Sequence, residues 1–128
     1  MIDRFLMCVL FLCLIATSPS ILAEKLVREF SGSRSLYTAT FQANDPWLID
    51  WRVNSSNPRA MSISVSLIDA KTESQAGDVL ETRRVGDGLR LITESGVFRF
   101  RIDAKETNWT IKVIQLNREE ARLYKPKH

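Results

Sequence analysis

The chain's one histidine is its last residue, His128, and its two cysteines, Cys8 and Cys13, lie near its start. A terminal imidazole with nothing to fix its tautomer or position makes a poor general base. Ser-His-Asp and Cys-His relays therefore have no candidates in the body of the chain. Zinc sites built on His and Cys have none either. The five glycines are scattered rather than gathered into a phosphate-binding loop. From these absences the sequence predicts a protein that is not an enzyme and carries no cofactor.

Carboxylates and arginines are the remaining polar chemistry. Asp50, Asp69, Asp78, Asp87 and Asp103 fall near the expected strand ends. Paired carboxylates run glycoside hydrolysis, and loop aspartates bind calcium. These five are not spaced like a calcium loop, so turn punctuation and solubility account for them more simply. Arg99 and Arg101 share one strand face, with Arg52, Arg83, Arg84 and Arg90 as candidates to stand near them. A guanidinium fork suits carboxylate, phosphate or sulfate. The plainer reading is a solvated face with cross-strand ion pairs to Glu81, Glu94 or Asp103.

Three tryptophans, Trp47, Trp51 and Trp109, are available for stacking on a sugar or anchoring a partner. Each sits in the apolar register of a strand, which favours the core. Trp47 follows Pro46 at a strand start, so it is the one expected at a rim, exposed. A partner-binding surface made of Trp47, Arg99 and Arg101 is the expectation. Asn54-Ser55-Ser56 and Asn108-Trp109-Thr110 match the N-glycosylation pattern, but short matches of this kind arise by chance.

The elements that must position these residues follow from the hydropathy pattern. Met1–Arg4 is polar, Phe5–Ile15 is unbroken apolar, Ala16–Ser20 is small or helix-breaking, and Ile21-Leu22-Ala23 ends in a small residue. That order is a signal peptide cut after Ala23; the apolar run is shorter than the roughly 20 residues of a membrane-spanning helix. Cleavage removes both cysteines, so the remainder is disulfide-free and depends on a packed core. It also removes one base, Arg4, and one acid, Asp3, which leaves the net charge at +3. Bases and acids are otherwise interspersed, without the concentrated basic stripe that nucleic-acid binding requires.

Residues 24–35 read as a polar lead-in with a short edge strand at Leu26–Phe30. Period-two alternation follows across Leu36–Gln42, Trp47–Val53, Ala60–Ile68, Val97–Asp103 and Trp109–Leu116, with weaker strands at Val79–Val85 and Leu89–Thr93. The cleanest sets Met61, Ile63, Val65 and Leu67 against Ser62, Ser64 and Ser66. Asp69–Asp78 reads as a long polar connection, Gly86-Asp87-Gly88 as a tight turn, and residues 117–128 as a charged tail. Seven to eight strands with turn signals between them predict an all-β, antiparallel two-sheet β-sandwich over residues 36–116.

The run Trp47-Leu-Ile-Asp-Trp51, the strand Gly96-Val-Phe-Arg-Phe-Arg-Ile102 and the closing Trp109-Thr-Ile-Lys-Val113 resemble small exported bacterial β-sandwich proteins of uncharacterised function. The resemblance covers residues 36–116. It implies the fold and an envelope or secreted setting, and it carries over no site residues. The expectation is a periplasmic or secreted binding or accessory module for an envelope or secreted protein, with no membrane span after cleavage. The competing expectation is a small exported enzyme inhibitor or immunity-like protein acting through the Asp69–Asp78 connection. Mass spectrometry of the exported chain should find Glu24 at its N-terminus; a chain beginning before Ala23 would overturn the export reading.

Overall fold

Strands whose apolar residues alternate with polar ones can bury one face and wet the other. The computed structural model describes residues 25–124, so the export segment and His128 fall outside it. Nine strands are present: β1 (Lys25–Gly32), β2 (Leu36–Tyr37), β3 (Phe41–Ala43), β4 (Trp47–Asn54), β5 (Ser62–Asp69), β6 (Gln75–Thr82), β7 (Gly86–Ile92), β8 (Gly96–Lys105) and β9 (Asn108–Gln115). The first sheet runs β1-β9-β4-β7, and the second runs β2-β8-β5-β6 with β3 also paired to β8. Every pairing is antiparallel. The expected two-sheet sandwich is what the chain forms.

The core lies between the sheets. Ile49 and Val53 of β4 and Ile111 and Val113 of β9 face Ile63, Val65 and Leu67 of β5 and Ile102 of β8. Rings bridge the two layers. Trp47 of the first sheet lies 5.5 Å from Phe98 and 5.6 Å from Phe41 of the second, the latter edge-on at 78°. Phe30 on β1 reaches across to Phe41 and Phe100 at 5.9 and 6.1 Å. Tilted and edge-on pairs at these separations add about 0.5–1.5 kcal/mol each beyond simple burial.

Several elements differ from their expected places. The lead-in is a full strand: β1 pairs with β9 along its length and sends Phe30 into the core. The stretch Leu36–Gln42 is not one strand. It breaks at Thr38, whose buried hydroxyl accepts a bond from Phe100 N (2.9 Å) and whose N–H donates to Phe100 O (2.9 Å). The break turns Tyr37 to the outside and Phe41 to the inside.

Gly86-Asp87-Gly88 lies within β7, and the turn is the preceding Arg83–Val85. Among the described residues no glycine has a positive φ; Glu73 and Glu106 occupy that region, at 58° and 51°. Gly88 answers a different need. A Cβ there would stand 2.4 Å from the Trp51 ring, which lies across the strand. Gly32 gives the Trp109 ring similar room, with a Cβ distance of 2.8 Å.

Within the charged tail, residues 117–124 fold onto the sandwich. Asn117 caps a short helix, α1 (Arg118–Ala121), through its side-chain oxygen to Glu120 N (2.8 Å), and Glu120 Oε1 accepts from Asn117 N (3.0 Å). A 3₁₀ turn, Arg122–Tyr124, follows. At the same end, Gln115 Nε2 donates to Asn44 O (2.6 Å) and Pro46 O (2.9 Å), fastening the β3–β4 loop to β9.

Gly88→Ala should therefore lower stability by about 1–3 kcal/mol through overpacking against Trp51. Gly77→Ala, where nothing lies within 4 Å of the new Cβ, should leave it unchanged or slightly raised. Urea unfolding midpoints of the two variants check the contrast.

Candidate functional site

The expected surface of Trp47, Arg99 and Arg101 does not form. Trp47 is 0% exposed, and its indole N–H donates to Glu94 O at 2.8 Å. It lies inside the sandwich, because β4 begins with Trp47 already in the inward register and the β8 rings close over it. A fully buried ring touches no partner. Trp51 is half-buried over Gly88, and Trp109 is buried with its indole N–H donating to Arg34 O (3.2 Å).

Arg99 and Arg101 do share one face, the outer side of β8, on the far side of the second sheet from Trp47. Both are already engaged. Arg99 lies over the Tyr37 ring, 4.7 Å from its centroid, and pairs with Glu73. Arg101 Nε is 3.5 Å from Asp103 Oδ2. Beside them on that face stand Ser62, Ser64 and Ser66 of β5, opposite Lys105, Asp103 and Arg101 of β8.

The outer face of the first sheet is different. Cross-strand register sets its side chains in rows. Leu26, Ile114, Leu48 and Leu91 form the first row; Glu29, Lys112, Asp50 and Leu89 the second; Ser31, Thr110, Arg52 and Asp87 the third; Asn108 and Asn54 the last. The face thus grades from apolar to ionic to hydroxyl and amide. Helix α1 and the following 3₁₀ turn cover only the apolar end, where Leu48, Ile114, Leu116 and Ala121 make a second small core against Leu91 and Tyr124. That cover explains how Leu48, on the outward register, is buried at 1% exposed.

Where the cover stops, a cleft begins. One part, about 330 Å³, lies among Leu48, Asp50, Leu89, Ile114 and Tyr124. A second, about 470 Å³, lies among Ser31, Asn54, Asn108 and Thr110 with Trp109 and Val53 beneath. Arg52 and Asp87 line both, so the two parts adjoin there. Among the described residues Arg52 makes no ion pair, and neither do Asp50 and Asp87. The outer ion pair of this face, Lys112 to Glu29, stands beside them at 3.9 Å. An uncommitted guanidinium offers a planar fork of donors. Two carboxylates, two amides and two hydroxyls around it supply acceptors and further donors.

Asp69 and Asp78, by contrast, are spent on structure. Asp69 Oδ1 accepts from Lys71 N (2.8 Å) and Thr72 N (3.3 Å) in the β5–β6 hairpin, and Asp78 Oδ1 accepts from Gln75 Nε2 (2.6 Å). Among the described residues no three His, Cys, Asp or Glu side chains gather where they could hold a metal ion. The alternation of β4 already placed Leu48, Asp50 and Arg52 opposite the tryptophans. The missing signal was Asn117-x-x-Glu120, a capping pattern that announces the helix and hence the covered end.

No known protein family matches the chain, and no curated protein matches it in sequence. The face must therefore be read from its own chemistry.

The two arginine environments should separate in stability measurements. Arg52→Ala, which breaks no ion pair, should change the unfolding free energy by no more than about 0.5 kcal/mol. Arg99→Ala, which loses both the Tyr37 ring contact and Glu73, should cost about 1 kcal/mol. Urea titrations followed by tryptophan fluorescence distinguish the two.

Proposed function

We propose that the chain is a non-catalytic binding or accessory module of the bacterial envelope, exported by its N-terminal segment, that engages its ligand through the outer face of the first sheet. The observation that carries this reading is Arg52. Among the described residues it makes no ion pair, and it stands where the two parts of the cleft adjoin, beside Asp50 and Asp87. A ligand suited to that face offers acceptors to Arg52, donors to Asp50 and Asp87, and an apolar portion toward Leu89 and Tyr124. An envelope or secreted protein carries all three. The resemblance to small exported bacterial β-sandwich proteins is in keeping with this setting.

The inhibitor reading drew its support from a long polar connection over Asp69–Asp78. Most of that stretch is hairpin. The loop proper is Ala70–Ser74, held by Asp69 and anchored by Ala70 N donating to Val97 O (2.9 Å) and by the Glu73–Arg99 pair. A short, pinned loop gives no particular support to insertion into an enzyme.

Arg52→Glu, immobilised beside the unaltered chain, should retain at least about tenfold less of the partner from an envelope extract, the loss expected when a charged hydrogen-bonding group is reversed. Equal retention of every partner by both chains would sink the assignment of this face.

A further inference from the structure

Of the sheet edges, one runs its full length without a register break, proline or lysine. An edge strand exposes a row of unpaired N–H and C=O groups, and proteins blunt such edges with bulges, charges or brevity. The first sheet ends in β1 and β7, the second in β6 and in the β2/β3 side of β8. β1 has a register break between Leu26 and Arg28 and carries Lys25, Arg28 and Glu29. β6 has two breaks, opposite Val65/Ser66 and Leu67/Ile68. The β2/β3 edge is two short pieces of two and three residues. By contrast β7 runs unbroken from Gly86 to Ile92 against β4, without proline or lysine. Its central residue, Leu89, is 56% exposed.

We infer that β7 is a self-pairing edge, and that two copies of the chain join antiparallel along it about a twofold axis through Leu89. Leu89 is the midpoint of the seven-residue strand, so this register overlaps β7 along its whole length. It sets Leu89 against the partner's Leu89 on the outer face. It also sets Gly88 against the partner's Arg90 on the inner face, where the half-buried Trp51 ring lies over Gly88. Arg90 is exposed and makes no ion pair among the described residues. Each copy's Arg90 thus meets the other's Trp51 ring, an attraction between cation and π-face made twice by symmetry. The strand carries one acid and one base, Asp87 and Arg90, so two copies bring no net charge to the seam. In this register neither meets its like.

The seam also fixes the kind of association. A strand of this length spans about 23 Å. One edge of that size buries less than the roughly 800 Å² per partner of a standard stable interface. The dimer is accordingly weak and concentration-dependent, and it joins the two first sheets into one.

Sedimentation velocity on the full chain, from about 10 μM to 1 mM, spans the range expected of a contact this small. The weight-average mass should rise toward that of two chains, and Leu89→Lys should cut the association at least tenfold without altering the far-ultraviolet circular dichroism. A second measurement does not depend on that variant folding. With Cys8 and Cys13 replaced by serine, Leu89→Cys should form an intermolecular disulfide under mild oxidation, because directly opposed antiparallel residues lie within disulfide reach. Val85→Cys should not, since in this register the two copies of residue 85 stand about 26 Å apart. A chain that stays monomeric at the highest concentration, or Val85→Cys crosslinking as fast as Leu89→Cys, would overturn the inference.

Discussion

The fold depends on a set of aromatic contacts that cross between the sheets. Residues 25–124 contain no cysteine, so no disulfide staples the layers. Trp47 and Phe30 come from the first sheet, and Phe41, Phe98 and Phe100 from the second; each ring lies against at least one from the opposite layer. Large rings supply area quickly in a chain of this size, and their tilted packing fixes the relative position of the two layers. The indole N–H of Trp47 and that of Trp109 each reach a backbone carbonyl, so the rings are buried without orphaned donors.

Committing the tryptophans to the interior has consequences for the surface. The rings of Trp51 and Trp109 lie over neighbouring strands and require glycine at positions 88 and 32. Gly88 leaves β7 flat on the side where Trp51 sits. On the outer side, register rather than ring packing decides what is exposed. The second sheet shows serines with two arginines already paired. The first sheet shows a graded face, closed at one end by residues 118–124. Its cleft exists because a short helix covers only the apolar end of the face, leaving Asp50, Arg52 and Asp87 outside the cover.

Much of this was legible from alternation. The inward sets Trp47, Ile49, Trp51, Val53 and Ile63, Val65, Leu67 and Phe98, Phe100, Ile102 were readable because strict period two admits no helical alternative. What failed was local chemistry overridden by tertiary contacts. Pro46 suggested that Trp47 stands at an exposed rim. In the fold, Pro46 itself is buried, and its carbonyl accepts bonds from Leu116 N and the Gln115 side chain. Thr38 hid its break in a run that alternates perfectly on paper, since the bond its hydroxyl accepts comes from the distant Phe100 backbone. Gly86-Asp-Gly88 looked like a turn because glycine is permissive there, whereas Gly88 is needed for space under a ring. The site was half visible. Asp50 and Arg52 could be placed on one polar face from β4 alone, but Asp87, Thr110 and Asn108 join them only through pairings separated widely in sequence.

One strand serves both surfaces. β7 supplies Asp87 and Leu89 to the cleft and is also the free edge of the first sheet. A twofold axis perpendicular to the sheet keeps both outer faces on the same side, so self-pairing sets two clefts beside each other across the Leu89 seam. A ligand long enough to touch both would bind the pair more tightly than one copy, and by linkage its binding would strengthen the pairing by the same factor. A seam weak enough to form and part at accessible concentrations is the condition under which that coupling has an effect, because a permanent dimer leaves no equilibrium for the ligand to shift. Arg52 and the unbroken β7 edge are then two parts of one binding surface, arranged around the same pair of strands.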